Sequence, residues 1–215
     1  MKTVFLVLSA FLIGFVGVVG YQYLRSKQTA PAVTTPASQS MPEPTFALVP
    51  PSQAVSGILT VTSGHAEKLS RTDSEYKEAS TGAQILLGES VATKANSSAT
   101  VAVNGIVAAA MGSNAELVFA NLFPNNFVLQ QKAGKIDYLV TKPISVRALH
   151  TLVTMNPGET SINIIDTDIS ITVITGSVRF ALVDADNNTK VWNLKAGQRA
   201  NVDDQAREVF LVTAR

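Results

Sequence analysis

The order of apolar and polar residues divides the 215-residue chain into three parts, and the first of them is an apolar run. Residues 4–23 contain no Asp, Glu, Lys or Arg, whereas Lys2, Arg25 and Lys27 stand just outside them. A helix needs about 20 apolar residues to cross the hydrocarbon core of a bilayer, where it satisfies its own backbone hydrogen bonds. The pattern therefore predicts a transmembrane helix over residues 4–24, with residues 1–3 in the cytoplasm.

A cleaved signal peptide is the alternative for this run. Signal peptides have an apolar region of about 7–15 residues before a small-residue cleavage site, and this run is longer. Arg25 and Lys27 place charge where a cleavage site disfavours it. The Ala30-Pro31-Ala32 triplet has the A-x-A form of a cleavage site, but proline lies inside it. We therefore expect an uncleaved signal anchor. The charges on its two sides are nearly balanced, so they set its orientation only weakly.

The second part, residues 25–54, is rich in Pro, Ser, Thr and Ala. It holds six of the nine prolines, namely Pro31, Pro36, Pro42, Pro44, Pro50 and Pro51. Such a composition buries too little apolar surface to offset the entropy lost on ordering. We expect a disordered linker that spans roughly 80 Å at most, at about 3.1 Å per residue in polyproline geometry.

The third part, residues 55–215, consists of short runs rich in Val, Ile and Thr that are separated by Gly, Asn, Asp and Pro. This pattern predicts an all-β fold, a sandwich or roll of short, mostly antiparallel strands. No helix is expected in this part, although Asp203–Glu208 has the composition of a single turn. The predicted strand runs are Gly57–Gly64, Gln84–Gly88, Ser98–Met111, Glu116–Ala120, Phe127–Gln131, Lys135–Val140, Ser145–Met155, Ser161–Ile165, Ser170–Ile174, Ser177–Val183, Lys190–Leu194 and Glu208–Thr213.

Asn104-Gly105 gives the clearest local signal, because it divides the run Ser98–Met111 into two β-prone arms. A two-residue hairpin turn of type I′ needs positive φ at both central positions, and Asn-Gly is its preferred sequence. We therefore predict a β-hairpin with a type I′ turn at these two residues.

Charge and cysteine content exclude several classes of function. The chain has 17 Lys and Arg against 16 Asp and Glu, without a basic run in the β-rich part, so nucleic acid is not expected as a partner. It contains no cysteine, which excludes disulfides, thiolate metal sites, a Cys nucleophile and a cysteine-linked lipid anchor.

Motifs for catalysis and metal binding are missing or incomplete, so we expect no enzyme activity, no cofactor and no metal. His65 and His150 are far apart in sequence, and neither belongs to a metal-binding motif. The pair Asp166 and Asp168 reads as an ordinary turn. Residues 184–188 fit the first three oxygen positions of a calcium loop, but Thr189 replaces the required glycine. An Asx-rich hairpin turn is the better interpretation of that segment.

The best candidates for a partner contact lie in the Pro- and Asn-rich connection at residues 121–127. Leu122, Phe123 and Phe127 would leave apolar surface on a loop there, which is typical of an interaction site. The alternative is that these three side chains fold down and close the end of a sandwich. Trp192, the single tryptophan, is expected to pack in the core.

Short motifs in the β-rich part, six of which contain glycine, resemble in their order and spacing the FecR domain of bacterial envelope proteins. The resemblance covers about 140 residues, from Gly57 to Arg199. Two departures limit it: the family's V-R-G-T-x-F strand has no counterpart near Ile162–Ile174, and only Met1–Thr3 precede the anchor, where regulatory members carry a sigma-factor-binding helical domain. The matching motifs are Gly57–Glu67, Gly88–Thr93, Asn96–Gly105, Ser113–Leu117, Gln131–Ile136, Gly176–Val178 and Leu194–Gln198.

Together these features predict a single-pass protein of the cell membrane with its β-domain outside the cytoplasm, in the periplasm or at the cell surface. The resemblance implies a non-enzymatic binding or sensing module, which would contact an envelope protein or a glycan without sigma-factor regulation. The alternative is a structural or assembly component of the cell surface that self-associates edge to edge through its β-domain.

Overall fold

The computed structural model describes residues 53–184 and 186–213, which form 17 β-strands and no helix. The all-β prediction is confirmed for these residues, whereas the predicted membrane span and nearly all of the predicted linker lie outside them. None of the described residues belongs to a helix long and apolar enough to span a membrane. The strands are β1 (Gly57–Ser63), β2 (Ala66–Leu69), β3 (Lys77–Ala79), β4 (Gln84–Ile85), β5 (Ser90–Thr93), β6 (Ser98–Val103), β7 (Val107–Met111), β8 (Glu116–Phe123), β9 (Asn126–Val140), β10 (Ile144–Ala148), β11 (Thr151–Met155), β12 (Gly158–Ile165), β13 (Asp168–Thr175), β14 (Ser177–Val183), β15 (Thr189–Lys195), β16 (Gln198–Asp203) and β17 (Glu208–Thr213).

Hydrogen bonding arranges the strands in two sheets that share β9. Sheet A has the order β4-β1-β6-β7-β9-β12-β13-β16-β17. Sheet B has the order β3-β2-β5-β8-β9-β10-β11-β14-β15. Every pair is antiparallel except β9 with β10, which is parallel. Alternate residues of most strands are buried, and the buried residues of both sheets form one hydrophobic core.

The second half of the chain adds hairpins to the two sheets in turn. The β10–β11 and β14–β15 hairpins extend sheet B, whereas the β12–β13 and β16–β17 hairpins extend sheet A. The β14–β15 hairpin pairs with β11 and the β16–β17 hairpin pairs with β13, so each of these two hairpins pairs with the hairpin two steps earlier in the chain. This alternation places β17 at the end of sheet A and β15 at the end of sheet B.

The longest strand, β9, carries the chain from one sheet into the other. Its 15 residues pair with β8 and β10 in sheet B up to Ala133, and with β7 and β12 in sheet A from Gly134 onward. The register with β8 shifts between Glu116 and Leu117, which leaves one extra residue of β9 at the corner. Gly134 has φ +77°, a conformation open to glycine at little cost. The predicted strands Phe127–Gln131 and Lys135–Val140 are thus one strand with a corner between them.

A fully buried polar pair fixes this corner. The Tyr138 hydroxyl donates to Gln131 Oε1 at 3.0 Å, and Gln131 Nε2 donates to the carbonyls of Gly134 at 2.7 Å and Ile162 at 3.1 Å. Burial raises the pKa of Tyr138 well above its usual range, so the hydroxyl keeps its proton and acts as a donor. Because an unpaired polar group in a core is costly, this network holds the two halves of β9 in one arrangement.

The β6–β7 hairpin is present as predicted, but its turn is not of type I′. The connection has three residues, Asn104 to Ile106, and Gly105 has positive φ (+65°) while Asn104 does not. The Ile106 N–H donates to the Val103 carbonyl at 3.1 Å, so Gly105 takes the third position of a four-residue turn. Ile106 is buried, and its carbonyl accepts hydrogen bonds from Thr141 N–H and Oγ1. Core packing of Ile106 therefore lengthens the loop.

The predicted run Ser145–Met155 is two strands, because the chain reverses at Leu149-His150. Leu149 has φ +50°, which is uncommon for a bulky residue. The buried Asp204 holds the turn: its Oδ1 accepts the His150 N–H at 3.1 Å, and its Oδ2 lies 2.7 Å from His150 Nδ1. Asp204 is 54 residues away in sequence, so no local pattern could reveal this reversal.

We expect Gly134→Ala to destabilise the domain far more than Gly197→Ala. Both glycines have nearly the same φ (+77° and +81°), but a Cβ at Gly134 would lie 2.5–2.8 Å from Ala115, whereas a Cβ at Gly197 would meet nothing within 4 Å. The control should lose about 1 kcal/mol of unfolding free energy through backbone strain, and Gly134→Ala about 3 kcal/mol or more through the added clash. Urea titration followed by the fluorescence of Trp192 measures both. Equal losses would show that the corner does not depend on this close approach.

Candidate functional site

A groove of about 400 Å³ lies on the outer face of sheet A, where β12, β13, β16 and β17 run side by side. Successive side chains of a strand point to opposite faces, and outward residues of these four strands, such as Asn163, Ser170 and Asn201, line the groove. The inward residues between them, such as Ile171, Ala200 and Val202, are buried in the core. The core therefore supports the floor of the groove.

Four side chains form a row across the groove. Asn163 of β12 lies opposite Ser170 of β13, Ser170 opposite Asn201 of β16, and Asn201 opposite Phe210 of β17. The row thus reads amide, hydroxyl, amide and aromatic ring. Arg199, two residues before Asn201, donates from Nε to Asn201 Oδ1 at 3.0 Å and fixes the orientation of that amide.

A second row runs parallel to the first and carries negative charge. Ile165 lies opposite Asp168, and Asp168 lies opposite Asp203. Two carboxylates directly opposite each other repel. Asp203 partly offsets this because its Oδ1 accepts the N–H groups of Gln205 at 3.0 Å and Ala206 at 2.8 Å in the β16–β17 turn.

The groove combines groups that favour binding. Amides, a hydroxyl, a guanidinium and carboxylates supply hydrogen-bond donors and acceptors, and Phe210, 56% exposed, supplies an apolar surface. A concave site with a few convergent polar groups is the usual form of a ligand pocket. The arrangement suits a ligand that has both an apolar face and hydroxyl or amide groups, such as a saccharide or an extended peptide.

The predicted partner-contact residues lie elsewhere, at the β8–β9 hairpin. Leu122 and Phe127 are buried in the core, and Phe123 is half-buried. The Leu122 carbonyl accepts the N–H of Val55, where the described chain enters the domain. Leu122 and Phe127 therefore fold down and close the end of the core, as in the alternative to a partner contact that the sequence left open. Contact with a partner at this hairpin stays a prediction, with Phe123 the residue best placed for it.

The two histidines lie in separate turns and each pairs with one carboxylate. His65 Nδ1 lies 2.9 Å from Glu78 Oε1, and both side chains are exposed. His150 pairs with Asp204 at the β10–β11 turn. Within residues 53–184 and 186–213, no three His, Asp or Glu side chains are arranged to hold a metal ion.

Asp184 organises the loop that resembled part of a calcium site. Its Oδ1 accepts the N–H groups of Asp186 at 3.0 Å and Asn188 at 2.9 Å, and its Oδ2 pairs with Lys190 Nζ at 3.0 Å. The Asn188 N–H and the Lys190 ammonium hold the pKa of Asp184 below its usual value. Both carboxylate oxygens thus bond within the protein, as the Asx-turn interpretation predicts.

The sequence did not reveal the groove. Its residues come from four strands, and β16 was not recognised as a strand because its inward positions are Gln198, Ala200 and Val202, a weakly apolar set. One sequence signal could have indicated the groove: polar residues occupy the outward positions, every second residue, of β13 and β16. These residues form one surface only once the register between the strands is known.

Comparison with solved structures finds the same fold in a candidate anti-sigma factor from Parabacteroides distasonis ATCC 8503, in two crystal structures. Each matches with a TM-score of 0.50, at 14% and 13% sequence identity, over 58% of this chain. The chain spans 59% of the length of that protein. At this identity the likeness shows a shared fold.

Comparison with protein-family models finds no match, and comparison with curated proteins finds none either. The resemblance to the FecR domain therefore stays a prediction.

Asp184 gives a pH-dependent prediction. A carboxyl group whose pKa is lowered on folding adds stability above its unfolded pKa of about 3.9, and that stability is lost as the pH falls through the folded value. Asp184→Asn should therefore melt at a lower temperature than the wild type at pH 7, and the difference should shrink below about pH 4. Asp186→Asn, which changes an exposed carboxylate of the same loop, is the control. A difference in melting temperature between Asp184→Asn and the wild type that stays constant with pH would show that the charge of Asp184 does not contribute to stability.

Proposed function

We propose that the chain is a membrane-anchored, non-enzymatic binding or sensing module of the bacterial envelope, with a FecR-like β-domain outside the cytoplasmic membrane. The observation that carries the proposal is the fold that this domain shares with a candidate anti-sigma factor. Anti-sigma factors are regulators, so the likeness favours a regulatory or sensing role over a catalytic one.

The backbone agrees with the strand-and-turn pattern on which the FecR-like interpretation rests. Motif glycines mark positions where the chain needs positive φ or a close approach. In the described residues, six glycines of the motifs that resemble FecR have positive φ, as structural motif glycines should: Gly64, Gly88, Gly105, Gly134, Gly176 and Gly197.

In the proposed mechanism the groove on sheet A binds the ligand, through the Asn163-to-Phe210 row and Arg199. The apolar run at residues 4–24 keeps the domain at the membrane, and the linker at residues 25–54 lets it reach away from the surface. A signal would pass from the occupied groove to a partner in the membrane. The hairpin around Phe123 is a second candidate for contact with that partner.

The location can be tested by adding protease to intact cells that produce the full chain with a tag after Arg215. We expect a membrane-bound, full-length protein before digestion and release of a folded fragment of about 160 residues, because the predicted linker is where we expect cleavage. Cells with an outer membrane need it permeabilised first. A domain that stays protected until the cytoplasmic membrane is broken would contradict the proposed location.

The sensing role can be tested by transcript profiling of a strain that lacks the chain. We expect a defined set of transcripts to change, and the full-length wild-type chain to restore them. Arg199→Ala, which removes the guanidinium from the groove, should fail to restore them. Arg179→Ala, an exposed arginine on sheet B, should restore them as the wild type does.

Two outcomes would count against the proposal in different ways. Unchanged transcripts in the deletion strain would argue against a regulatory role. Full restoration by Arg199→Ala, with the protein present at the wild-type level, would show that the groove is not the sensing surface.

A further inference from the structure

The described residues leave four strand edges unpaired: β4 and β17 in sheet A, and β3 and β15 in sheet B. An unpaired edge presents free N–H and C=O groups that another strand can bind, and proteins usually protect such edges by short strands or by lysine. β4 and β3 have two and three residues. β15 carries Lys190 and Lys195. Three of the four edges are therefore protected.

The fourth edge, β17, has none of these protections. It has six residues, contains neither Lys nor Pro, and pairs with β16 over its full length without a bulge. Phe210, Leu211 and Val212 are 56%, 56% and 45% exposed. Because neighbouring residues point to opposite faces, apolar side chains are exposed on both sides of this edge.

We propose that the β17 edge binds the β17 edge of a second copy of this chain, in an antiparallel pair with Leu211 at the two-fold axis. Sheet A then continues from one copy into the other. Symmetric contacts of this kind, in which the same patch serves both subunits, are the commonest in soluble homo-oligomers. The pairing goes beyond the proposed sensing role and holds whichever ligand the groove binds.

The register follows from the direction of the side chains. Residues directly opposite each other in an antiparallel pair point to the same face. A two-fold axis at Leu211 places Phe210 opposite Val212 of the partner subunit, so that an aromatic and a β-branched side chain meet on the outer face. Leu211 meets Leu211 of the partner subunit on the inner face. Every contact at the centre is apolar.

Charge favours this register over the neighbouring one. A two-fold axis at Phe210 would place Glu208 directly opposite Val212 of the partner subunit, which sets a carboxylate against an apolar surface. With the axis at Leu211, the two Glu208 residues lie about 20 Å apart along the strands, six positions at about 3.4 Å each. Both carboxylates then stay in water at the ends of the contact.

The protein offers a clean cross-linking test because it contains no cysteine. Opposite residues of antiparallel strands have Cα atoms about 4.5–5.5 Å apart, within the range that a disulfide spans. Leu211→Cys in the full-length chain, purified in detergent and treated with a mild oxidant, should therefore give a disulfide-linked dimer. Leu139→Cys is the matched control, because Leu139 is equally exposed (55%) on the central strand β9. It should remain monomeric on a non-reducing gel.

Light scattering of the uncross-linked protein gives an independent readout. Leu211→Lys should halve the protein mass of the wild-type particle, because it places two ammonium groups against each other at the axis. Leu139→Lys should leave the mass unchanged.

Three results would overturn the proposal. The first is a wild-type chain that is monomeric throughout the concentration range of the experiment. The second is cross-linking of Phe210→Cys in place of Leu211→Cys, which indicates another register. The third is cross-linking of Leu211→Cys only after deletion of Thr45–Val49, which indicates that this apolar part of the linker covers the edge.

Discussion

The passage of β9 from sheet B into sheet A is the constraint on which the rest of the domain depends. Four strands pair with β9, two in each sheet, so the alignment of each sheet's strands depends on the register of their pairing with β9. The corner needs a backbone conformation that Gly134 supplies and a polar network that Gln131 and Tyr138 supply. Buried polar groups that are fully hydrogen-bonded specify one arrangement, because any displacement leaves an unpaired group.

The groove depends on this corner although β9 does not line it. The register passes from β9 through β12 and β13 to β16, and a shift of one residue at any step would turn the whole outward row toward the core. Asn163, Ser170 and Asn201 would then be buried, and their inward neighbours would be exposed. The packing of Ile162, Ile171 and Ala200 against the core is therefore what holds the polar row in place.

The proposed binding surface and the proposed contact between copies lie at the same end of sheet A and meet on its outer face at Phe210, but they otherwise use different groups. The groove uses outward polar side chains such as Arg199 and Asn201. The contact between copies uses the free backbone edge of β17 and the inward Leu211. Phe210 takes part in both, because it ends the polar row and stands on the edge strand. Pairing of two copies would bring two grooves together on one continuous sheet, which would favour a ligand with repeated units.

The sequence determined the features that depend on neighbouring residues alone. Alternation of apolar and polar residues in Ser177–Val183 indicates a strand, because one face of a strand is buried wherever it pairs. The pair Asp166 and Asp168 indicates a turn, because the backbone preferences of Asp are local. Tertiary structure decided what distant residues control. Asp204 sets the reversal at Leu149-His150, pairing with β13 and β17 makes β16 a strand, and Ile106 lengthens the loop at Gly105 by entering the core. The two halves of β9 join for the same reason, since each half pairs with one strand that precedes β9 in the chain and one that follows it. The groove belongs to this second group, because strand register is fixed by packing across the sheets and not by the residues next to it in the chain.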